Sequence, residues 1–255
     1  MKIHHVCLAV AACVLPLHAQ QPPAPAPAPA PAPGGEAQPK PEAPGIKIRS
    51  LSFQLDTPPT EVYAHDPATG GKVPAVKIDM KSYLNHEFNL QPTQAESLIF
   101  SKSADPASLK DPANIVAKAK VPPNIKSGIF MFLPGTGKPG DTPFRVLVVD
   151  DSKRAFPPGS FKVLNLSPHG VRIQLETKNY DFASGETKLI EDPPVGVNNA
   201  SAMNAYTSAN GQVVRIASGI WPHPGTKRSL QLLFLNPASG QVEIRGIRDV
   251  AGDEF

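Results

Sequence analysis

Beyond the first twenty residues the chain has four histidines, His65, His86, His169 and His223. No two are spaced i,i+2 or i,i+4, the spacings that bring two imidazoles to one face of a strand or helix. A metal centre would therefore have to be assembled from distant segments. Met131 and Met203 suggest copper only weakly, because scattered methionine is ordinary core filler. The two cysteines, Cys7 and Cys13, fall within the first twenty residues. The rest of the chain thus has no disulfide, thiol nucleophile or thiolate ligand. No G-x-S-x-G nucleophile turn is present. Pro134-Gly135-Thr136-Gly137-Lys138 has the glycines of a phosphate-cradling loop without its spacing, and reads as a hairpin connection. Asp150-Asp151 could hold a cation or act as a carboxylate pair. Without a second group in a cleft, the expectation is a solvated strand end. No catalytic residue, metal ligand or cofactor is assigned.

Trp221-Pro222-His223-Pro224-Gly225 is the segment best suited to binding. Trp221, the single tryptophan, stands between a strand and rigid prolines that would limit the cost of ordering it around a partner. The opposing expectation is that Trp221 caps a hydrophobic core and His223 is a polar loop residue, since large aromatics are mostly buried. The formal net charge is +3, with acids and bases interspersed and no basic stripe, so nucleic acid is not an expected partner.

The elements that would carry these residues begin after a leader. Lys2, the apolar Val6–Leu17 stretch and Leu17-His18-Ala19 are the three parts of a secretory signal peptide. Residues 1–19 are read as that signal, with cleavage after Ala19 and an extracytoplasmic location: periplasmic, cell-surface or secreted. Val10-Ala11-Ala12-Cys13 resembles a lipobox, which would acylate Cys13 and anchor the chain by lipid. The apolar run before Cys13 is very short and continues past it, which favours Ala19. No later segment reaches the ~20 apolar residues of a transmembrane helix. Residues 20–45 form a Pro/Ala-rich disordered linker. Its Ala-Pro alternation from Pro22 to Pro33 excludes helix and sheet ladders and suits an extended polyproline spacer.

From Ile46 onward, short apolar alternations are separated by Pro, Gly, Asn and Asp. Val171–Leu175, Ile115–Val121 and Val76-Ile78-Met80 have the period of two expected for half-buried strands. Ile129–Leu133, Val146–Val149 and Leu230–Leu235 are continuous apolar runs suited to central strands. Short helical turns are expected at Pro106–Lys110 and around Ala200–Ala205. A weak internal repeat matches Lys47–Ser52 to Lys162–Ser167, then Val62 to Val171 and Leu98-Ile99 to Leu189-Ile190. It continues with Ile115–Ala119 to Val213–Ala217, Ile129–Leu133 to Leu230–Leu235, and Phe144–Val149 to Val242–Ile247.

The expected fold is all-β: two tandem antiparallel β-sandwiches over residues 46–151 and 152–255. The alternative is one continuous sandwich or barrel. Phe161–Pro168, Val171–Leu175 and Gly185 before a further strand resemble bacterial extracytoplasmic immunoglobulin-like modules. That resemblance covers under half the chain, lacks the paired cysteines of antibody domains and implies a fold, not a function. The function expected is a non-enzymatic envelope protein with a binding or structural role toward an envelope protein or polysaccharide. Two alternatives remain. One is a hydrolase of envelope polymers that gathers His169, His223 and an acid in a pocket. The other is a surface polymer subunit that assembles by pairing edge strands.

Overall fold

The computed structural model describes residues 45–209 and 212–250. The expected signal over residues 1–19, its cleavage at Ala19, the alternative lipidation at Cys13 and linker residues 20–44 lie outside the described residues. Gly45, assigned to the linker from sequence, already belongs to the fold. Its carbonyl accepts a hydrogen bond from Gln94 Nε2 at 2.5 Å. A Cβ at this position would lie 2.5 Å from the Gln91 carbonyl oxygen, so only glycine fits.

Among the described residues there are sixteen strands and no α-helix. The first eight are β1 (Ile46–Ser52), β2 (Glu61–His65), β3 (Val76–Asp79), β4 (Asn89–Gln91), β5 (Ser97–Ser101), β6 (Ile115–Lys120), β7 (Ser127–Pro134) and β8 (Phe144–Asp150). The second eight are β9 (Phe161–Asn165), β10 (Val171–Leu175), β11 (Lys178–Phe182), β12 (Thr187–Ile190), β13 (Ala200–Ala209), β14 (Gln212–Pro222), β15 (Arg228–Leu235) and β16 (Val242–Asp249). Each set forms two four-stranded sheets. The orders are β4-β1-β7-β8 and β3-β2-β5-β6, then β12-β9-β15-β16 and β11-β10-β13-β14. Adding eight to every strand number of the first pair reproduces the second. The one parallel contact recurs too, β1 with β7 and β9 with β15.

The repeat read from the sequence agrees with this topology except at one element. Leu98-Ile99 lies in β5, whereas Leu189-Ile190 lies in β12, whose topological counterpart is β4. β4 has only three residues and its Leu90 is exposed, so it leaves almost no hydrophobic signal.

Alternation along the strands shows how the sheets stack. In β7, Phe130 and Phe132 enter one core with Ile48, Val62, Ile78, Leu98 and Phe100. Ile129, Met131 and Leu133 point the other way, into a core shared with Leu164, Leu230 and Leu232 of the second set of strands. In β15, Leu233 joins a third core with Phe161, Val163, Ile173 and Trp221, while Leu230 and Leu232 face β7. The sheets containing β7 and β15 are therefore covered on both faces. That explains why both strands read as unbroken apolar runs. Phe53 and Phe234 close the shared core edge-to-face with ring centroids 5.0 Å apart.

Of the two helical turns expected from the sequence, one forms and one does not. Pro106–Lys110 forms a 3-10 turn capped by Asp105, whose carboxylate accepts from Ala107 N at 2.9 Å. Ala200–Ala205, expected to be a helical turn, is instead the start of β13. Pairing with both β10 and β14 overrides the helical preference of its alanines, with Ser201, Met203 and Ala205 buried on one face.

Asp151 is not solvated. It belongs to a buried ring of four charges at the junction of the two central sheets. Arg49 Nη1 donates to Asp151 Oδ1 and to Asp249 Oδ2, each at 3.0 Å. Arg228 donates through Nε to Asp249 Oδ2 at 2.8 Å and through Nη2 to Asp151. Arg228 also reaches the Phe156 carbonyl at 2.8 Å and lies 4.5 Å over the Phe156 ring. Burial opposes ionisation of Arg49, but its bonds and proximity to Asp249 and Asp151 outweigh this and hold its pKa above the usual value. Lys162, whose Nζ lies 5.2 Å from the centroid of the same Phe156 ring, has its pKa lowered chiefly by burial. Asp150, by contrast, accepts from the Ser152 amide in a local turn. The carboxylate pair of the sequence is thus split between a turn and the ring.

Candidate functional site

The edges of the sheets separate the two halves of the molecule. In the first half, β6 lies against β8, closing that side of the first pair of sheets. β6 has six residues and presents Lys118 and Lys120 to solvent, a charged guard on an edge strand. Its counterpart β14 has eleven residues, a single charged side chain in Arg215, and solvent along nearly its whole length. Val213 is 76% exposed and Ile220 70% exposed. β16, the counterpart of β8, barely touches β14. A cleft of about 570 Å³ opens between them.

The cleft floor is built from the second core. Trp221 packs on Phe161 with centroids 4.9 Å apart, and Met203 and Ile216 extend the apolar surface. From β15, Ser229 and Gln231 supply polar groups, with Gln231 Nε2 donating to Ser229 Oγ at 3.1 Å. Gly246 of β16 keeps this wall low, since a Cβ there would come within 3.0 Å of Gln231 Oε1. Glu243 and Arg248 place opposite charges toward the two ends of β16.

β14 is irregular at one point. Ala205 pairs with Ala217 and Tyr206 with Arg215, leaving Ile216 as an extra residue. This bulge reverses the alternation. Before it, Val213 and Arg215 share the outer face with Ser208 and Tyr206; after it, Ser218 and Ile220 share that face with Asn204 and Ala202.

The residues singled out from the sequence separate clearly. Trp221 is buried in the second core, as expected of a large aromatic, and its edge lines the cleft. His223 instead shapes the following turn, its Nδ1 accepting from Gly225 N at 3.1 Å and its backbone N–H donating to Asn199 O at 3.0 Å. His169 is exposed beside the start of β10. β10 begins opposite Thr207 of β13, and His223 follows the β14 end paired with Ala200, so the two histidines stand at opposite ends of that sheet. His65 is buried, with Nε2 bonded to Ser101 Oγ at 2.8 Å, but that hydroxyl is sealed from solvent. Among the described residues no group of three or more His, Cys, Asp or Glu is placed to hold a metal ion. No helix among them is long and apolar enough to cross a membrane.

No protein-family model matches the chain, and no curated protein matches it. One solved structure aligned with it is a "putative cell adhesion protein" from Bacteroides uniformis. The two are 7% identical, the alignment covers 82% of this chain and 98% of that one, and the TM-score is 0.18. At that score nothing transfers, and function has to come from the residues themselves. The β14 edge was hidden in the sequence because Val213–Ala217 and Ile115–Ala119 have similar hydrophobic patterns. The sparser charge of β14, one basic residue in eleven against two in six for β6, was the available signal.

Proposed function

We propose that the chain is an exported, non-enzymatic envelope protein built from two tandem immunoglobulin-like β-sandwiches, residues 46–151 and 152–255, related by duplication. We assign its binding function to β14 and the adjoining cleft, which accept an extended protein segment. The observation that carries this reading is the contrast between counterparts. β6 is short, guarded by two lysines in six residues and covered; β14 is long, carries one charge in eleven residues, Arg215, and is open beside an apolar floor. An open edge offers a row of backbone donors and acceptors, and a flanking apolar pocket adds side-chain selectivity. Such an edge favours a peptide over a polysaccharide, because a peptide backbone matches the strand spacing. The signal and proline-rich linker support export, and the repeated sheet order supports duplication.

Trp221 is the only tryptophan, so emission excited selectively at tryptophan, away from the four tyrosines, reports the cleft floor alone. Titrating the chain from Gln20 with an alternating valine–threonine peptide is expected to give a saturable change in Trp221 emission. A control peptide with proline at alternate positions, which cannot donate to the edge, is expected to give none. Equal responses to both peptides, or no response to either, would contradict the reading.

A further inference from the structure

The outer face of β14 reads the same from both ends. The bulge at Ile216 makes Val213, Arg215, Ser218 and Ile220 the outer residues, an apolar pair flanking a polar pair. We propose that the segment accepted by this edge is β14 of a second copy. The two strands run antiparallel about a two-fold axis between Ile216 and Ala217. The inference rests on the strand-accepting reading of β14 and names its occupant.

In this register Val213 of each copy meets Ile220 of the other, and Arg215 meets Ser218. Residues directly opposite in an antiparallel pair lie on the same face. Pairing Val213 with Ile220 joins an odd-numbered residue to an even-numbered one. A regular strand would put those on opposite faces; the bulge alone makes them match. Two apolar cross-strand pairs are thereby buried, and like charges never stand opposite each other, which would be unfavourable. On the inner face Val214 meets Gly219, where no side chain competes and the nearest atom to an added Cβ is Met203 Cε at 4.0 Å. The interface is isologous, so it closes as a dimer and does not propagate as a fibre. The result is a continuous eight-stranded sheet across two chains.

The register is tested by disulfide trapping, for which the chain from Gln20 is suited because it has no cysteine. Val213→Cys and Ile220→Cys chains, one carrying a size tag, are prepared separately and mixed under mild oxidation. Both positions are exposed, so neither change should disturb folding. The mixture is expected to give the mixed disulfide. Each variant alone should cross-link no more than a Thr57→Cys control, because identical positions would lie about 20 Å apart along the ribbon, beyond the ~7 Å Cα separation a disulfide spans. A mixed disulfide no more abundant than the control overturns the proposal, as does equal cross-linking by Val213→Cys alone. If trapping fails while the valine–threonine peptide still shifts Trp221 emission, the occupant is wrong and the edge reading stands. If both fail, the edge reading falls as well.

Discussion

Replacing Arg228 with alanine is expected to lower the unfolding free energy by about 3–5 kcal/mol, because it leaves Asp151 and Asp249 buried with half their compensation. Arg228 is fully buried and joins both carboxylates, the Phe156 carbonyl and the Phe156 ring. For a folded part of this size, the melting temperature should fall by about 6–20 °C. The intact ring is a different matter. Desolvating four charges costs much of what their attraction returns, so replacing all four together with apolar residues of similar volume is expected to cost far less than the single change. Urea denaturation of wild type, Arg228→Ala and the quadruple variant measures both. A single-variant loss under 1 kcal/mol would show that water reaches the ring.

The second large effect concerns the two halves. Residues 45–151 expressed alone are expected to be insoluble or to bind hydrophobic dye, and the full chain to unfold in one transition. Leu51, Phe53, Ile129, Met131, Leu133 and Val149 are buried in the core shared with the second half. Each loses roughly 1.5–3 kcal/mol when uncovered, and the total is comparable with the ~5–15 kcal/mol stability of a typical domain. Arg49 would also lose Asp249 and Arg228 from its ring. Calorimetry showing two separate transitions, or a well-folded isolated half, would contradict this coupling.

These dependencies explain what could be read from the sequence. The strands were legible because alternation survives in β3, β6 and β10, where one face meets water. The continuous runs of β7 and β15 announced burial on both faces, but not what covered the second face. The cover is a separate sheet, reached through Leu164 of β9 and through Leu230 and Leu232 of the far more distant β15, and no local pattern encodes that partner. Asp151 looked like a solvated strand end because its partners, Arg49 and Arg228, stand 102 and 77 residues away. Ala200–Ala205 misled because alanine favours helix locally and sheet pairing decides otherwise. Trp221 was identified as a residue of interest, but its role depends on the gap between β14 and β16. That gap is set by strand order and by a bulge, neither of which leaves a local mark.

The most direct test of the binding role assigned to β14 is hydrogen–deuterium exchange, measured at dilution and again with saturating valine–threonine peptide. In the dilute chain, the β14 amides that do not point toward β13 should exchange rapidly, while those of β7 and β15 stay protected. On saturation, slowing should be confined to β14 and the facing stretch of β16. Protection appearing instead on the β6–β8 side, or no slowing in β14, would contradict the account.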